Sequence, residues 1–130
     1  MKTIIAGGRE YILSPEDFAF LDKLKVSLPI TEVVSGCARG ADRGGEVWAK
    51  KNGIPIQPFP ADWDGLGRGA GHIRNAQMAK YAEAAVLFPG GSGTQSMLAL
   101  AKKHGLWVFD RMISNIPTQV SRHTPKGRFF

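Results

Sequence analysis

The fold of this chain is decided by Phe88-Pro89-Gly90-Gly91-Ser92-Gly93-Thr94, a glycine-rich stretch between an apolar run and a helical pattern. The apolar run, residues 84–88, is short and uninterrupted, which is typical of a buried strand. Residues 94–104 have the spacing of a helix, and Gly105 follows as a stop signal. The sequence therefore predicts a strand, a tight turn and a helix start in direct succession.

A turn of this kind is a candidate anion site. Glycine lets the backbone approach a ligand without side-chain clash, and the first amides of a helix have no partner inside it. The helix dipole adds positive potential at the same place, and Ser92 and Thr94 add hydroxyl donors. An ordinary turn with Thr94 as the helix cap would use the same residues. Two further glycine-rich loops in the chain favour the binding interpretation.

The order of apolar and helical segments predicts an α/β fold. Strands are expected at residues 2–6, 30–35, 54–59, 84–88 and 106–110, with helices between them. This alternation indicates a Rossmann-like, doubly wound parallel sheet of about five strands, in the order 3-2-1-4-5. Pro55 and Pro58 place the third strand at an edge. Gly44-Gly45 predicts close packing of the second helix on the sheet, and the third helix is expected at residues 72–81.

The ligand cleft of such a sheet lies at the carboxyl ends of the strands, where the winding direction reverses between strands 1 and 4. The loops at residues 7–9, 35–42 and 89–94 converge there. Three arginines suit phosphate because guanidinium binds it in a bidentate manner, and we expect Arg39 or Arg43 to pair with an acid such as Glu10. The predicted phosphate-binding residues are Gly8, Arg9, Ser35, Gly36, Arg39, Gly40, Asp42, Arg74, Pro89, Gly90, Gly91, Ser92, Gly93 and Thr94.

Other side chains support fewer conclusions. Asp62 and Trp63 are candidate contacts for a base or a ribose, although Trp63 would equally serve to cover the sheet edge. Cys37 is a candidate nucleophile, but a small buried filler is the preferred interpretation because no histidine partner is assured. The Cys and His positions lack metal-ligand spacing, and no dinucleotide or P-loop pattern is present. We therefore expect no metal and no cofactor.

Length and charge indicate one domain, residues 1–110, followed by a basic tail, residues 111–130. The net charge is +6, and the tail contributes Arg111, Arg122, Lys126 and Arg128 without any acid. Such a tail is more often a solvated end, yet it could make weak contact with nucleic acid. Its apolar side chains are expected to pack on the body or on a second subunit, which predicts a homo-oligomer: Ile113, Ile116, Val120, Phe129 and Phe130.

The sequence also bears on the cellular setting. No apolar run is long enough to span a membrane, and the first residues run directly into a strand pattern without the layout of a signal peptide. Cys37 is the single cysteine, so no disulfide can form within the chain. We therefore expect a cytoplasmic protein without a membrane partner.

Five motifs together resemble the SLOG superfamily, a Rossmann-like group that contains the DNA-processing protein DprA and the LOG (lonely guy) phosphoribohydrolases. Within that group the chain is most similar to the YspA-like, CpYpsA-related SLOG family. The motifs extend from the first strand to the fourth helix: Gly8-Arg9, Ser35-Gly36-x-Ala38-Arg39-Gly40-Ala41-Asp42, Ala61-Asp62-Trp63, Gly69-Ala70-Gly71-x-x-Arg74-Asn75-x-x-Met78 and Pro89-Gly90-Gly91-x-Gly93-Thr94. Each motif alone is weak, but their combination is specific.

The resemblance implies a domain that binds a nucleotide or a nucleotide-derived ligand, as a sensor or binding module. It leaves two alternatives, a LOG-like hydrolase that cleaves the N-glycosidic bond of nucleoside monophosphates, and DprA-like binding of single-stranded DNA. The hydrolases carry Gly-Thr-x-x-Glu, and Met97 stands at the glutamate position here. Hydrolysis would therefore need another acid or base, with Asp42, Glu46 and Asp62 as the candidates.

Overall fold

A single mixed sheet lies at the centre of the computed structural model, which describes residues 1–113 and 118–122, except for the side chain of Arg68. Its strands are β1 (Lys2–Ala6), β2 (Glu32–Ser35), β3 (Ile56–Pro58), β4 (Ala84–Leu87), β5 (Trp107–Asp110) and β6 (Gln119–Arg122). Their order is β3-β2-β1-β4-β5-β6. Strands β1 to β5 are parallel, and β6 pairs with β5 in the antiparallel sense.

Helices cover both faces of the sheet. They are α1 (Pro15–Ser27), α2 (Ala41–Lys51), the short α3 (Trp63–Leu66), α4 (Ala70–Tyr81) and α5 (Ser92–Lys103), with a 3-10 turn at Gly67–Gly69. Neighbouring residues of β1 point to opposite faces, so Ile4 joins the core under α4 and α5, and Ile5 joins the core under α1 and α2. None of the helices in the described residues has both the length and the apolar content needed to cross a bilayer.

The predicted fold is confirmed. The five predicted strands form a parallel sheet in the order 3-2-1-4-5, and the proline-containing β3 lies at its edge. Strand β4 is buried along its whole length, as its apolar run requires. On α2, a Cβ atom added to Gly45 would lie 2.7 Å from Ile5 Cγ2 of β1, so this glycine lets the helix approach the sheet closely.

Strand β6 lies in the segment that the sequence analysis treats as a tail. Its four residues, Gln119–Arg122, contain one apolar side chain, too few to show a strand periodicity, and it gains its order by pairing with β5. Ile113 and Val120 are 59% and 56% exposed, so neither is buried on the body. The other apolar residues of the predicted tail packing, Ile116, Phe129 and Phe130, lie outside the described residues.

Two helix boundaries differ from the prediction. Helix α5 begins at Ser92 with Gly91 as its N-cap, so Thr94 lies inside the first turn and is not the cap. Helix α4 begins at Ala70, two residues early, and the preceding glycine-rich connection contains α3. The carboxylate of Asp62 makes α3 possible, because its Oδ1 accepts a hydrogen bond of 2.9 Å from the Gly65 amide.

Candidate functional site

A cleft of about 600 Å³ opens where β1, β2 and β4 end, at the point where the winding of the sheet reverses. The loops after these three strands meet there, and α4 closes one side. We call this part of the cleft the first lobe. It is lined by Ala6, Gly7, Gly8, Arg9, Ala38, Asp42, Trp63, Gly71, His72, Arg74, Asn75, Met78, Gly91, Ser92, Gly93, Thr94, Ser96 and Met97.

One wall of the first lobe is the amino terminus of α5. Its first residues, Ser92, Gly93 and Thr94, line the cleft, so the unpaired amides of the first turn lie at the cleft wall. Two side chains of α4 hold this terminus in place. Asn75 Nδ2 donates to the carbonyl oxygen of Gly93 at 3.3 Å, and His72 Nδ1 lies 3.1 Å from Ser96 Oγ. The wall is therefore braced as well as positively polarised.

The glycines of the cleft loops fall into two groups. Gly8, Gly36, Gly40 and Gly90 let the loops pack against one another. An added Cβ at Gly90 would overlap Thr94 Oγ1 and lie 2.7 Å from the Gly8 amide nitrogen, and one at Gly36 would lie 2.8 Å from Asp42 Oδ2. Gly40 also has a φ of +76°, in the left-handed region. These glycines shape the cleft through the packing of its loops, and two of them, Gly8 and Gly36, also line a lobe.

Gly91 and Gly93 form the second group, because a Cβ added to either would have no atom within 4 Å. Both line the first lobe. Their missing side chains therefore leave the α5 amides open to a bound molecule. Packing explains the other four glycines, and a close approach of a ligand stays a prediction for these two positions.

Asp42 is the buried acid of the first lobe. It is the second residue of α2 and only 5% exposed, and its Oδ2 accepts a hydrogen bond of 3.3 Å from the Ala38 amide. Burial raises the pKa of its carboxyl from an ordinary value of 3.8 to about 6, with Glu46 raising it further, while the amide of Ala38 and the cation of Arg74 oppose the rise. The group therefore titrates close to neutral pH.

The raised pKa of Asp42 gives a testable dependence of stability on pH. Between pH 3.8 and about 6 the folded state binds this proton more tightly than the unfolded state, so stability from Asp42 falls as the pH rises through that window. A pKa difference of this size corresponds to about 3 kcal/mol. Asp42→Asn cannot ionise at this position. We therefore expect its free energy of unfolding to rise relative to that of the parent by up to that amount as the pH increases from about 4 to 7.

Urea unfolding of both proteins at several pH values measures this difference. Asp64→Asn is the matched control, because Asp64 is exposed. Parallel pH profiles for the parent and Asp42→Asn would show that the buried carboxyl does not titrate in this window.

Two arginines reach the cleft from different elements. Arg74 of α4 is half-buried, and burial lowers the pKa of its guanidinium. Its Nη1 donates to the carbonyl oxygen of Gly36, and its Nε donates to Asn75 Oδ1 at 2.9 Å. Arg9 is exposed, and its guanidinium lies 5.5 Å from the centre of the Trp63 ring. One cation is thus fixed in the wall, and the other stands at the rim over an aromatic face.

A second lobe of about 410 Å³ continues from the first. Its lining is Arg9, Gly36, Cys37, Ala38, Arg39, Pro60, Ala61, Trp63 and Arg74. Arg39 forms an ion pair with Glu10, which confirms the expectation that an arginine of the cleft loops pairs with that acid. The side chains of this pair are 70% and 85% exposed, so the ion pair adds little stability.

Several predicted site residues do not line either lobe. They are Ser35, Gly40, Asp62, Pro89 and Gly90. Ser35 is fully buried, and its Oγ donates to Glu46 Oε2 at 2.5 Å and accepts a hydrogen bond of 3.1 Å from the Cys37 amide. Asp62 is used as the cap of α3 and thereby positions Trp63, the first residue of that helix.

The structure decides the interpretation of Cys37, whereas contact of Trp63 with a base stays a prediction. Cys37 is exposed, so the prediction of a small buried filler is wrong; its φ of +65° belongs to a turn that holds the side chain at the surface of the second lobe. Trp63 is 49% exposed and lines both lobes, so its ring forms a wall of the cleft.

Several lining residues of the first lobe were not among the predicted site residues. Ala6, Met78 and Met97 are buried and form an apolar part of the first lobe, and His72, Asn75 and Ser96 brace the α5 terminus. Asn75 and Met78 stood within a quoted motif. His72, Asn75 and Met78 follow one another at intervals of three residues, which places them on one face of α4 and was the available signal.

A doubly wound sheet with a glycine-rich cleft at its switch point defines a Rossmann-like domain. A family model described as the YspA, cpYpsA-related SLOG family matches residues 1–65. The chain is also 35% identical over 100 residues to the Gene 61 protein of Mycobacterium phage D29, which covers 71% of this chain and 80% of that protein. No solved structure matches the chain. The chain belongs to this SLOG family, and membership indicates nucleotide-related binding or processing.

Proposed function

We propose that this chain binds a nucleotide or a nucleotide-derived ligand in the first lobe, as a sensor or binding module. The observation that carries the proposal is the convergence of three loops on one cleft whose wall is the open amino terminus of α5. Family membership supports a nucleotide over other anions. The ligand is bound at the carboxyl ends of the strands, as in other doubly wound sheets.

A phosphate group suits the α5 terminus for three reasons. The first-turn amides are unpaired donors, the helix dipole favours an anion, and the missing side chains of Gly91 and Gly93 leave room beside the backbone. The hydroxyl groups of Ser92 and Thr94 stand on the same turn. A charge-assisted hydrogen bond contributes about 1.5–3 kcal/mol, so a few of them suffice for micromolar affinity.

The nucleoside part of the ligand is placed along the rest of the first lobe. Trp63 offers a half-exposed aromatic face for a base, and Arg9 over the ring adds a cation beside the phosphate. The apolar surface of Met78 and Met97 suits the body of the nucleoside better than a second charge. Asp62 contributes through the position of Trp63 and not by contact.

A panel of nucleotides tests the proposal. Thermal shift measurements with nucleoside mono-, di- and triphosphates identify candidates, and calorimetric titration gives their affinities. We expect at least one nucleotide to raise the melting temperature in a concentration-dependent manner, because a ligand that binds only the folded state stabilises it. A panel without any such shift, confirmed by flat titrations, would reject the proposal.

Arg9→Ala should weaken binding of that nucleotide by about ten- to a hundredfold, since the variant removes a charged donor from the cleft. Arg43→Ala is the matched control, because Arg43 is exposed on α2 and lines neither lobe. Calorimetric titration measures both variants. Equal affinities of the Arg9→Ala and Arg43→Ala proteins would show that the phosphate is bound away from Arg9.

A further inference from the structure

The second lobe is open to the first, and its lining indicates the class of ligand. We propose that the ligand bears anionic groups on both sides of its nucleoside, one at the amino terminus of α5 and the other in the second lobe. This inference rests on the proposed function, because it specifies the ligand of the same cleft. A nucleoside 3′,5′-bisphosphate is the simplest molecule with this arrangement.

The two lobes form a continuous cleft. Arg9, Ala38, Trp63 and Arg74 line both of them, so these residues are a shared boundary and not a partition. The lobes have volumes of about 600 and 410 Å³, and each is in the size range of a small-ligand site. A nucleoside that stacks on Trp63 therefore lies between the α5 terminus and the second lobe.

The charge of the second lobe favours an anion. Three guanidinium groups line it, from Arg9, Arg39 and Arg74, and none of its described lining residues is acidic. Two acids interact with this group from outside the second lobe: Glu10 pairs with Arg39 at an exposed position, and Asp42 of the first lobe interacts with Arg74. An exposed pair of this kind is weak, so a phosphate with its higher charge displaces Glu10 from Arg39. The first lobe differs, because it contains the carboxyl of Asp42.

A mononucleotide would leave this cationic lobe empty. Its single phosphate is used at the α5 terminus, and its nucleoside stacks on Trp63, at the boundary that the two lobes share. A 5′-diphosphate adds charge on the side of the first phosphate, whereas a 3′,5′-bisphosphate adds the same group on the far side of the sugar. Comparison of the two compounds therefore separates the position of the charge from its amount.

The first test is titration of AMP, ADP and adenosine 3′,5′-bisphosphate into the full chain and into Arg39→Ala and Arg43→Ala. We expect the bisphosphate to bind about tenfold more tightly than AMP, and ADP to gain less. Arg39 lines only the second lobe, so Arg39→Ala should remove the gain of the bisphosphate and leave the AMP affinity unchanged. Arg43→Ala, with the same loss of charge outside both lobes, should alter neither.

Cys37 provides a second, independent measurement. It is the single cysteine of the chain, is exposed, and lines only the second lobe. Alkylation of its thiol therefore reports whether that lobe is occupied. Partial burial raises the pKa of the Cys37 thiol, so the reaction is followed in alkaline buffer. Saturating bisphosphate should slow alkylation severalfold, whereas saturating AMP should leave the rate close to that of the free protein.

The outcomes separate this inference from the proposed function. The inference is wrong if AMP binds but the bisphosphate binds no more tightly than AMP through Arg39. It is also wrong if ADP binds as tightly as the bisphosphate. In both cases the proposed nucleotide site is retained. Unprotected Cys37 at saturating bisphosphate would likewise overturn the inference. If none of the three compounds binds in either assay, the second anionic group is rejected. If no nucleotide of the panel stabilises the protein, the proposed nucleotide site itself is rejected.

Discussion

Gly91→Val is expected to abolish nucleotide binding while the protein remains folded. The side chain would start from a backbone position that has no atom within 4 Å, and it would extend into the first lobe in front of the α5 amides. Gly91 has φ −98°, outside the left-handed region, and its ψ of −143° lies close to the extended region, so valine is accommodated by a small shift of ψ. We therefore expect the affinity to fall by at least a hundredfold, which is beyond detection for a micromolar ligand.

The stability of the same variant should change little. Valine is a poorer N-cap than glycine, so a loss of about 1 kcal/mol is expected, well within the stability of a domain of this size. Circular dichroism and a thermal melt measure the fold, and calorimetric titration measures the binding. Unchanged affinity for a nucleotide would show that residues 89–94 are only a turn.

Gly90→Val is the matched comparison, one residue away and with the opposite expected result. Its Cβ would overlap Thr94 Oγ1 and crowd the Gly8 amide, so the loop after β4 would have to move away from the loop after β1. Overpacking of this kind costs about 1–3 kcal/mol, and a larger loss is expected because backbone atoms are involved. The melting temperature should therefore fall clearly for Gly90→Val and little for Gly91→Val.

This contrast shows which part of the site was predictable from sequence. Strand alternation and Pro55 and Pro58 fixed the sheet order, and the order alone brings the loops after β1, β2 and β4 together. A run of glycines does not reveal which of them face a ligand. Glycine is needed at Gly90 for the packing of the loops, whereas Gly91 borders open space. Only the relative position of the loops separates the two uses.

Hydrogen-bond and strand partners that were not predicted account for the other differences. The carboxylate of Asp62 was a candidate ligand contact, but its partner is the Gly65 amide. The helix that it caps has four residues, too few for a helical periodicity in the sequence. The hydroxyl of Ser35 is taken by Glu46, eleven residues away. Strand β6 depends on pairing with β5. The partners of Ser35 and β6 arise from the tertiary structure, which local sequence patterns do not encode.

We expect no enzymatic release of ribose 5-phosphate from nucleoside monophosphates, because the first lobe lacks the glutamate of the hydrolases. Met97 stands where the hydrolases that the chain resembles carry a glutamate, and it is 1% exposed in the lining of the cleft. A thioether cannot transfer a proton. General acid–base catalysis supplies about a hundred- to ten-thousandfold, so a bound substrate would keep most of its barrier.

Asp42 is the group that could overturn this expectation. Of the described lining residues of the first lobe it is the one carboxylic acid, and burial raises its pKa to about 6, which suits a proton donor near neutral pH. Its Oδ2 is, however, bound to the Ala38 amide, and the carboxyl faces the cation of Arg74. These contacts give the carboxylate a structural use in the loop after β2.

Incubation of the purified chain with AMP, GMP, CMP and their deoxy forms, followed by chromatography of the free bases, decides the matter. The expected result is base release no faster than in a control without protein. Release faster than about one turnover per second, within the ordinary range of enzymes, would establish a hydrolase. In that event Asp42→Asn identifies the acid, since loss of release with retained nucleotide affinity would assign the proton transfer to Asp42.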